Sequence, residues 1–127
     1  MLDDKVQELA GGPNYAARVT LMPDGTPQCQ MTWIDHDGEY LLVNTEGERQ
    51  VAKNVKADPR MTVMIFSSPY VFVEVRGTVV ETVGGEVALA HIETLAQRYT
   101  GGPYKPPIGP TGRILYKVRA DKVMHRG

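Results

Sequence analysis

Three cations at helical spacing are the residues of this sequence best suited to chemistry. Arg49, Lys53 and Lys56 stand at i, i+4 and i+7 within Thr45-Glu46-Gly47-Glu48-Arg49-Gln50-Val51-Ala52-Lys53-Asn54-Val55-Lys56-Ala57-Asp58-Pro59-Arg60. The segment follows one apolar run and precedes another, so it reads as strand, glycine turn, short helix and proline stop. That spacing puts the three charges on one helix face, while Val51, Ala52 and Val55 can pack on a sheet from the other side. A cationic stripe beside a strand end suits the phosphate of a bound cofactor. Standing alone, such a stripe reads first as a solvated face, so the weight falls on the elements around it.

Other chemistries find little support. Cys29 is the sole cysteine; it sits in an alternating strand pattern with no histidine nearby and reads as a packed thiol rather than a nucleophile. His36, His91 and His125 are scattered, and none forms a pair with Cys, Asp or Glu at a recognised ligand spacing, so no metal site is expected. There is no G-x-S-x-G elbow and no Cys–His pattern for a triad, and the acids cluster in turns and at helix ends. Without a P-loop or a G-x-G-x-x-G fingerprint, a phosphate would be held by side chains rather than a glycine cradle. Few catalytic residue types beside an anion seat suit a protein whose cofactor carries the reaction. Trp33 follows Gln28, Gln30 and Thr32, as where a barrel wall meets a planar ligand. By itself it reads first as a core anchor.

The length of 127 residues predicts one domain spanning 1–127 and a core that needs no disulfide or metal. A net charge of −1 argues against a nucleic-acid partner, which needs a broad basic surface. No apolar run nears the roughly 18 residues of a membrane span, and the N-terminus lacks a signal-peptide pattern. One cysteine fits a reducing compartment. The expectation is a cytoplasmic protein with no membrane insertion.

The elements that must position these residues are mostly strands. Leu2, Val6 and Leu9 recur at helical spacing behind Asp3 and Asp4, and Gly11-Gly12-Pro13 ends that helix. Strands over 14–22, 27–35 and 40–45, split by turns at Pro23-Asp24-Gly25-Thr26 and His36-Asp37-Gly38-Glu39, read as a meander. Residues 61–66 suit a strand buried on both faces. Residues 70–83 form a long strand with Val71, Val73 and Val75 on one apolar face that calls for a partner, and Gly77 marks a bulge or a close backbone approach. A helix carries Val87, Ala88, Ile92, Leu95 and Tyr99, a Gly/Pro-rich loop covers 100–112, and a last strand runs over 113–124. About six strands with peripheral helices predict a small antiparallel barrel rather than a doubly wound parallel sheet.

Taken in order, Gly12-Pro13-Asn14-Tyr15-Ala16, Pro23-Asp24-Gly25-Thr26-Pro27-Gln28, Trp33-Ile34-Asp35 and Asn44-Thr45 resemble the pyridoxamine 5′-phosphate oxidase-like split-barrel flavoproteins. Arg49…Lys53-Asn54-Val55…Asp58-Pro59-Arg60 and Val73-Glu74-Val75-Arg76-Gly77 look like the branch of F420-dependent, or deazaflavin-dependent, reductases. The resemblance implies a mainly β fold, a six-stranded antiparallel split barrel of the FMN-binding type, and a homodimer with cofactor sites at the subunit interface. It implies F420 as cofactor, with FMN the alternative, and hydride transfer to a conjugated small molecule that is quinone-, tetrapyrrole- or enone-like. It places the ring against Gln28, Met31, Trp33, Asn44 and Thr45 and the phosphate on Arg49 and Lys53, with Asn54 and Arg76 also among the cofactor contacts. Relatives often carry a lysine two positions beyond the first of these arginines; Val51 stands there, which implies a weaker or rearranged phosphate grip. No catalytic residue is assigned, although Tyr104 or Lys105 could deliver a proton if the 100–112 loop folds over the site. Two other readings stay open: an FMN-dependent oxidase or reductase, and a non-catalytic carrier of F420, FMN or haem.

Overall fold

Asp3 starts the first helix: its carboxylate accepts the backbone N–H groups of Lys5 at 2.9 Å and Val6 at 3.3 Å, the N-cap role for which aspartate is suited. In this computed structural model, which describes residues Met1–Gly127, the chain runs α1 (Asp4–Gly11), β1 (Tyr15–Leu21), β2 (Pro27–Thr32), β3 (Asp35–His36) and β4 (Leu41–Glu46). It continues through α2 (Gln50–Ala57), β5 (Arg60–Ser68), β6 (Val71–Val83), α3 (Gly85–Thr100) and β7 (Arg113–Arg126). All seven strands form one sheet in the order β2-β1-β5-β6-β7-β4-β3, antiparallel throughout.

The two edge strands, β2 and β3, are neighbours in sequence, separated only by Trp33 and Ile34. The three residue steps from Thr32 to Asp35 span no more than about 11 Å, so the sheet must curl until its edges meet. The result is a split barrel with three helices around it. The main core lies inside the curl, where Ile34, Leu41, Val63, Ile65, Val75 and Val118 are fully buried. No helix is long and apolar enough to cross a membrane.

Several sequence expectations change. There are seven strands rather than six, because the strand expected over 27–35 breaks at Trp33 and Ile34. The backbone N–H of Ile34 leaves the ladder to bond the Tyr99 hydroxyl at 3.1 Å. The first three strands do not make a meander: β4 pairs with β3 and β7, at the far edge from β2. The strand buried on both faces is β4, which lies between the core and α3, whereas β5 alternates. Val73 and Val75 are fully buried, so the valine face of β6 is core, not a free surface. Cys29 is exposed on β2 rather than packed. Gly77 does mark a bulge, with a register shift between Arg76 and Gly77, and a Cβ there would meet the Arg119 carbonyl oxygen at 2.5 Å.

β1 inverts the usual pattern. Its buried set is Ala16, Arg18 and Thr20, while Tyr15, Ala17, Val19 and Leu21 face outward. Apolar residues inside and polar ones outside is the rule for a half-buried strand, so this strand gives up core packing for polar chemistry inside the barrel. Cross-strand partners share a face, and the outer face of β1 continues across the sheet. Met31 opposes Ala17, Ala17 opposes Met64, Met64 opposes Glu74, and Glu74 opposes Met124. In the next row Tyr15 opposes Phe66, which opposes Phe72.

Candidate cofactor site

The inverted strand leads directly to a cleft of about 320 Å³, bounded by β1, β2, β4, the start of β7, α3 and the Gly/Pro-rich loop. Arg18, Arg49 and Arg113 all line it. Arg18 is only 4% exposed, and its one side-chain hydrogen bond is from Nη2 to Gln30 Oε1 at 2.7 Å. Burial, reinforced by the neighbouring Arg49, pushes its pKa down to about 10. A guanidinium held in that setting with no carboxylate is a buried positive charge left uncompensated by the chain. Arg49 and Arg113 share a single carboxylate, Glu46, at 3.7 Å and 3.6 Å. Burial lowers the Arg113 pKa as well.

Arg113 sits in a polar chain. Its Nε donates to Asn44 Oδ1 at 2.8 Å and its Nη1 to the Tyr104 hydroxyl at 3.1 Å, with the guanidinium 5.2 Å from the Tyr104 ring centroid. This contact brings the Gly/Pro-rich loop over the cleft. The loop is held at its other end by Glu48, whose Oε1 accepts the Thr111 N–H at 2.8 Å. Trp33 forms an aromatic wall: it stacks on Tyr99 at 5.1 Å and meets Tyr104 edge-on at 6.5 Å. No group of three or more His, Cys, Asp or Glu side chains is gathered to hold a metal ion.

Of the residues expected from sequence, Met31, Trp33, Asn44, Thr45 and Arg49 come together at the cleft. Gln28 on β2 and Asn54 on the buried side of α2 are bonded to each other at 3.1 Å, away from the cleft. Asn54 also donates to Thr20 at 3.0 Å and accepts from Gln50 at 2.9 Å, so its polar atoms are spent tying α2 to β1 and β2. Lys53 and Lys56 line a separate groove of about 570 Å³ between α2 and the β6–β7 pair. Arg76 is on the exposed face of β6, beside Glu74 at 3.5 Å. The loop delivers Tyr104 to the cleft but leaves Lys105 exposed.

Tyr15, Arg18 and Arg113 line the cleft without having been singled out. The signal for Arg18 was its strand alternation with Ala16 and Thr20, which periodicity alone assigns to the solvent face. Arg113 stood at a strand's first residue, where a charge is ordinary.

Comparison with known proteins agrees with this architecture. Residues 2–125 match the family described as Pyridoxamine 5′-phosphate oxidase. A solved F420 reductase is 31% identical with a TM-score of 0.84, covering 97% of this chain and 98% of that one. A conserved hypothetical protein from Mycobacterium tuberculosis is 23% identical, with a TM-score of 0.76 over 99% of this chain and 84% of that one. The heme storage protein HutZ from Vibrio cholerae shares the fold at 12% identity, with a TM-score of 0.71 over 99% and 95% of the two chains. No curated protein matches the sequence. A curled antiparallel sheet whose edges join through Trp33 and Ile34, matched along nearly its whole length, fixes the relationship: the chain belongs to the pyridoxamine 5′-phosphate oxidase family of split barrels.

Proposed function

We propose that the cleft seats a deazaflavin of the F420 type and that the protein is an oxidoreductase passing hydride to a conjugated small molecule, quinone-, tetrapyrrole- or enone-like. The observation that carries this reading is Arg18, buried and without a carboxylate beside two further arginines that share one. Such a set fits a phosphate: it supplies several N–H donors and an unbalanced positive charge in a partly desolvated place. The likeness to an F420 reductase favours the deazaflavin over FMN.

The residues divide the work. Arg18, Arg49 and Arg113 hold the phosphate, and Trp33, backed by Tyr99, gives a flat wall for the ring. Gln28 and Asn54 set the position of α2, and through it Arg49 just before the helix. Lys53 and Lys56, in the neighbouring groove, face an acidic tail rather than the phosphate. A reduced deazaflavin supplies the hydride from its own ring carbon, so the protein's task is orientation and exclusion of water. The Tyr104 hydroxyl accepts the Arg113 N–H, which leaves its own proton free to meet charge developing on an acceptor.

The working unit in this reading is a homodimer. Tyr15, Met31 and Met64 are 50%, 58% and 37% exposed on the outer sheet face, and Tyr15 and Met31 also line the cleft. A volume of about 320 Å³ is at the small end for cofactor sites. A second copy docked on that face completes the wall.

Absorbance and fluorescence titrations with F420 and FMN, followed by oxidation of reduced F420 by a menadione-type quinone, test the proposal. Tighter binding of F420 and loss of its reduced form on adding quinone are expected. Tight FMN binding with weak F420 binding overturns it in favour of a flavin enzyme, and F420 binding without turnover in favour of a carrier.

A further inference from the structure

Behind the cleft, between α3 and β4, lies a cluster of polar groups that reaches the cleft only through Asn44 and Arg113. His91 Nε2 is 3.0 Å from Asp35 Oδ2, and His91 Nδ1 is 3.1 Å from Asn44 Nδ2. Asn44 Nδ2 also donates to the Ala88 carbonyl at 2.9 Å, and Asn44 Oδ1 accepts from Arg113 Nε at 2.8 Å. The second Asp35 oxygen takes Arg98 Nη2 at 3.0 Å. His91 does not line the cleft; Asn44 and Arg113 do.

These contacts assign every proton in the chain. The Ala88 carbonyl can only accept, so the nitrogen of the Asn44 amide must face it, and its oxygen must face the Arg113 N–H. The second N–H of Asn44 then points at His91 Nδ1, which has to be an unprotonated acceptor. The remaining ring proton is on Nε2, where it donates to Asp35. Only the neutral Nε2–H form of His91 satisfies all members at once, and Asp35 selects that form, as a carboxylate does for a histidine it orients.

We propose that His91 is a positioning residue: Asp35 and His91 lock the Asn44 amide, and the locked amide aims the Arg113 guanidinium at the anion seat. Apolar side chains would fill the space between α3 and β4 with no desolvation penalty. A fully bonded polar chain there, ending on a cleft arginine, is explained by the aim it gives that arginine. The inference rests on reading the cleft as an anion-holding cofactor seat.

Two substitutions separate aim from packing. His91→Leu fills the space but leaves the Asn44 N–H without an acceptor. His91→Asn places an amide oxygen near the former Nδ1, keeping that acceptor while losing the reach to Asp35. The Arg113 Nε–H signal in nitrogen-15 NMR spectra of the ligand-free protein, identified by its loss in Arg113→Lys, is expected in the wild type and in His91→Asn and broadened away in His91→Leu. F420 affinity should fall about tenfold in His91→Leu and stay within about threefold in His91→Asn. An unchanged Arg113 signal in His91→Leu, or equal loss of the signal in both variants, overturns the proposal. Should the wild type bind neither F420 nor FMN, the cofactor reading falls, and the NMR signal of the ligand-free protein still decides whether His91 aims Arg113.

Discussion

Trp33 lies flat against Tyr99, with ring centroids 5.1 Å apart and planes 5° from parallel. The same tyrosine hydroxyl accepts the Ile34 N–H and donates to the Asn14 carbonyl, so one side chain of α3 ties the β2–β3 connection to the start of β1. Tyr99→Phe keeps the stack and removes the tie, leaving the N–H of a fully buried residue unpaired. The expected cost is about 1–3 kcal/mol, read as a lower urea midpoint with an unchanged slope. A midpoint equal to the wild type would mean the hydroxyl ties nothing.

Arg18 is expected to oppose stability in the ligand-free protein. Its charged form is disfavoured by burial and by Arg49, and no carboxylate offsets that cost. Arg18→Met removes the charge and keeps the aliphatic volume, so thermal unfolding of the ligand-free variant should match or exceed the wild type, by up to about 2 kcal/mol. A marked loss of stability would show that Arg18 is a structural residue with an unseen partner.

Acid titration should report on Asp35. Burial by itself pushes its carboxyl up, yet the bonds from His91 and the His36 backbone, together with Arg98, hold it below the usual carboxylate range. A carboxyl with a lowered folded-state pKa stabilises the fold above its unfolded value of ~3.9 and loses that contribution as the pH falls through the folded value. Asp35→Asn should therefore be less stable than the wild type at pH 7, by about 1.5–3 kcal/mol, and the gap should close below about pH 4. Denaturant unfolding at both pH values measures it. A gap that is constant with pH contradicts the assignment.

The outer sheet face gives a test of assembly. Met64 sits in the middle of the row from Met31 to Met124, on the interior strand β5. Met64→Lys places a charge where a second copy would bury it, which should weaken association roughly a hundredfold or more and leave the chain folded. Sedimentation velocity should then show a shift from dimer to monomer. A wild-type protein that is monomeric at micromolar concentration removes the basis for a shared site.

What could be read from the sequence, and what could not, divides along physical lines. Turn chemistry and periodicity located the strands, the helices and the Gly77 bulge, because these depend on local residue choice. Periodicity says that alternate residues share a face, but not which face is inward. In β1 the apolar set Tyr15, Ala17, Val19 and Leu21 is the outer one, and in β6 the valines expected outside are inside. Pairing between β4 and β7 depends on contacts distant in sequence, so a meander of the first three strands was the natural misreading. The stripe of Arg49, Lys53 and Lys56 pointed to the right helix but to only one cleft residue, since Arg49 is the extended residue just before α2 and does not share the helix face of Lys53 and Lys56. Arg18 and Arg113 reach the site through strand register, which no local pattern encodes.

The central claim is that three arginines, led by the unpaired Arg18, seat the phosphate of a deazaflavin. Equilibrium fluorescence titration of the wild type and Arg18→Met with F420 tests it most directly. Removing one cation from a partly desolvated phosphate contact should raise the dissociation constant about ten- to a hundredfold, in a variant whose ligand-free stability is undiminished. Equal affinity for F420 in the two proteins would contradict the assignment of the cleft.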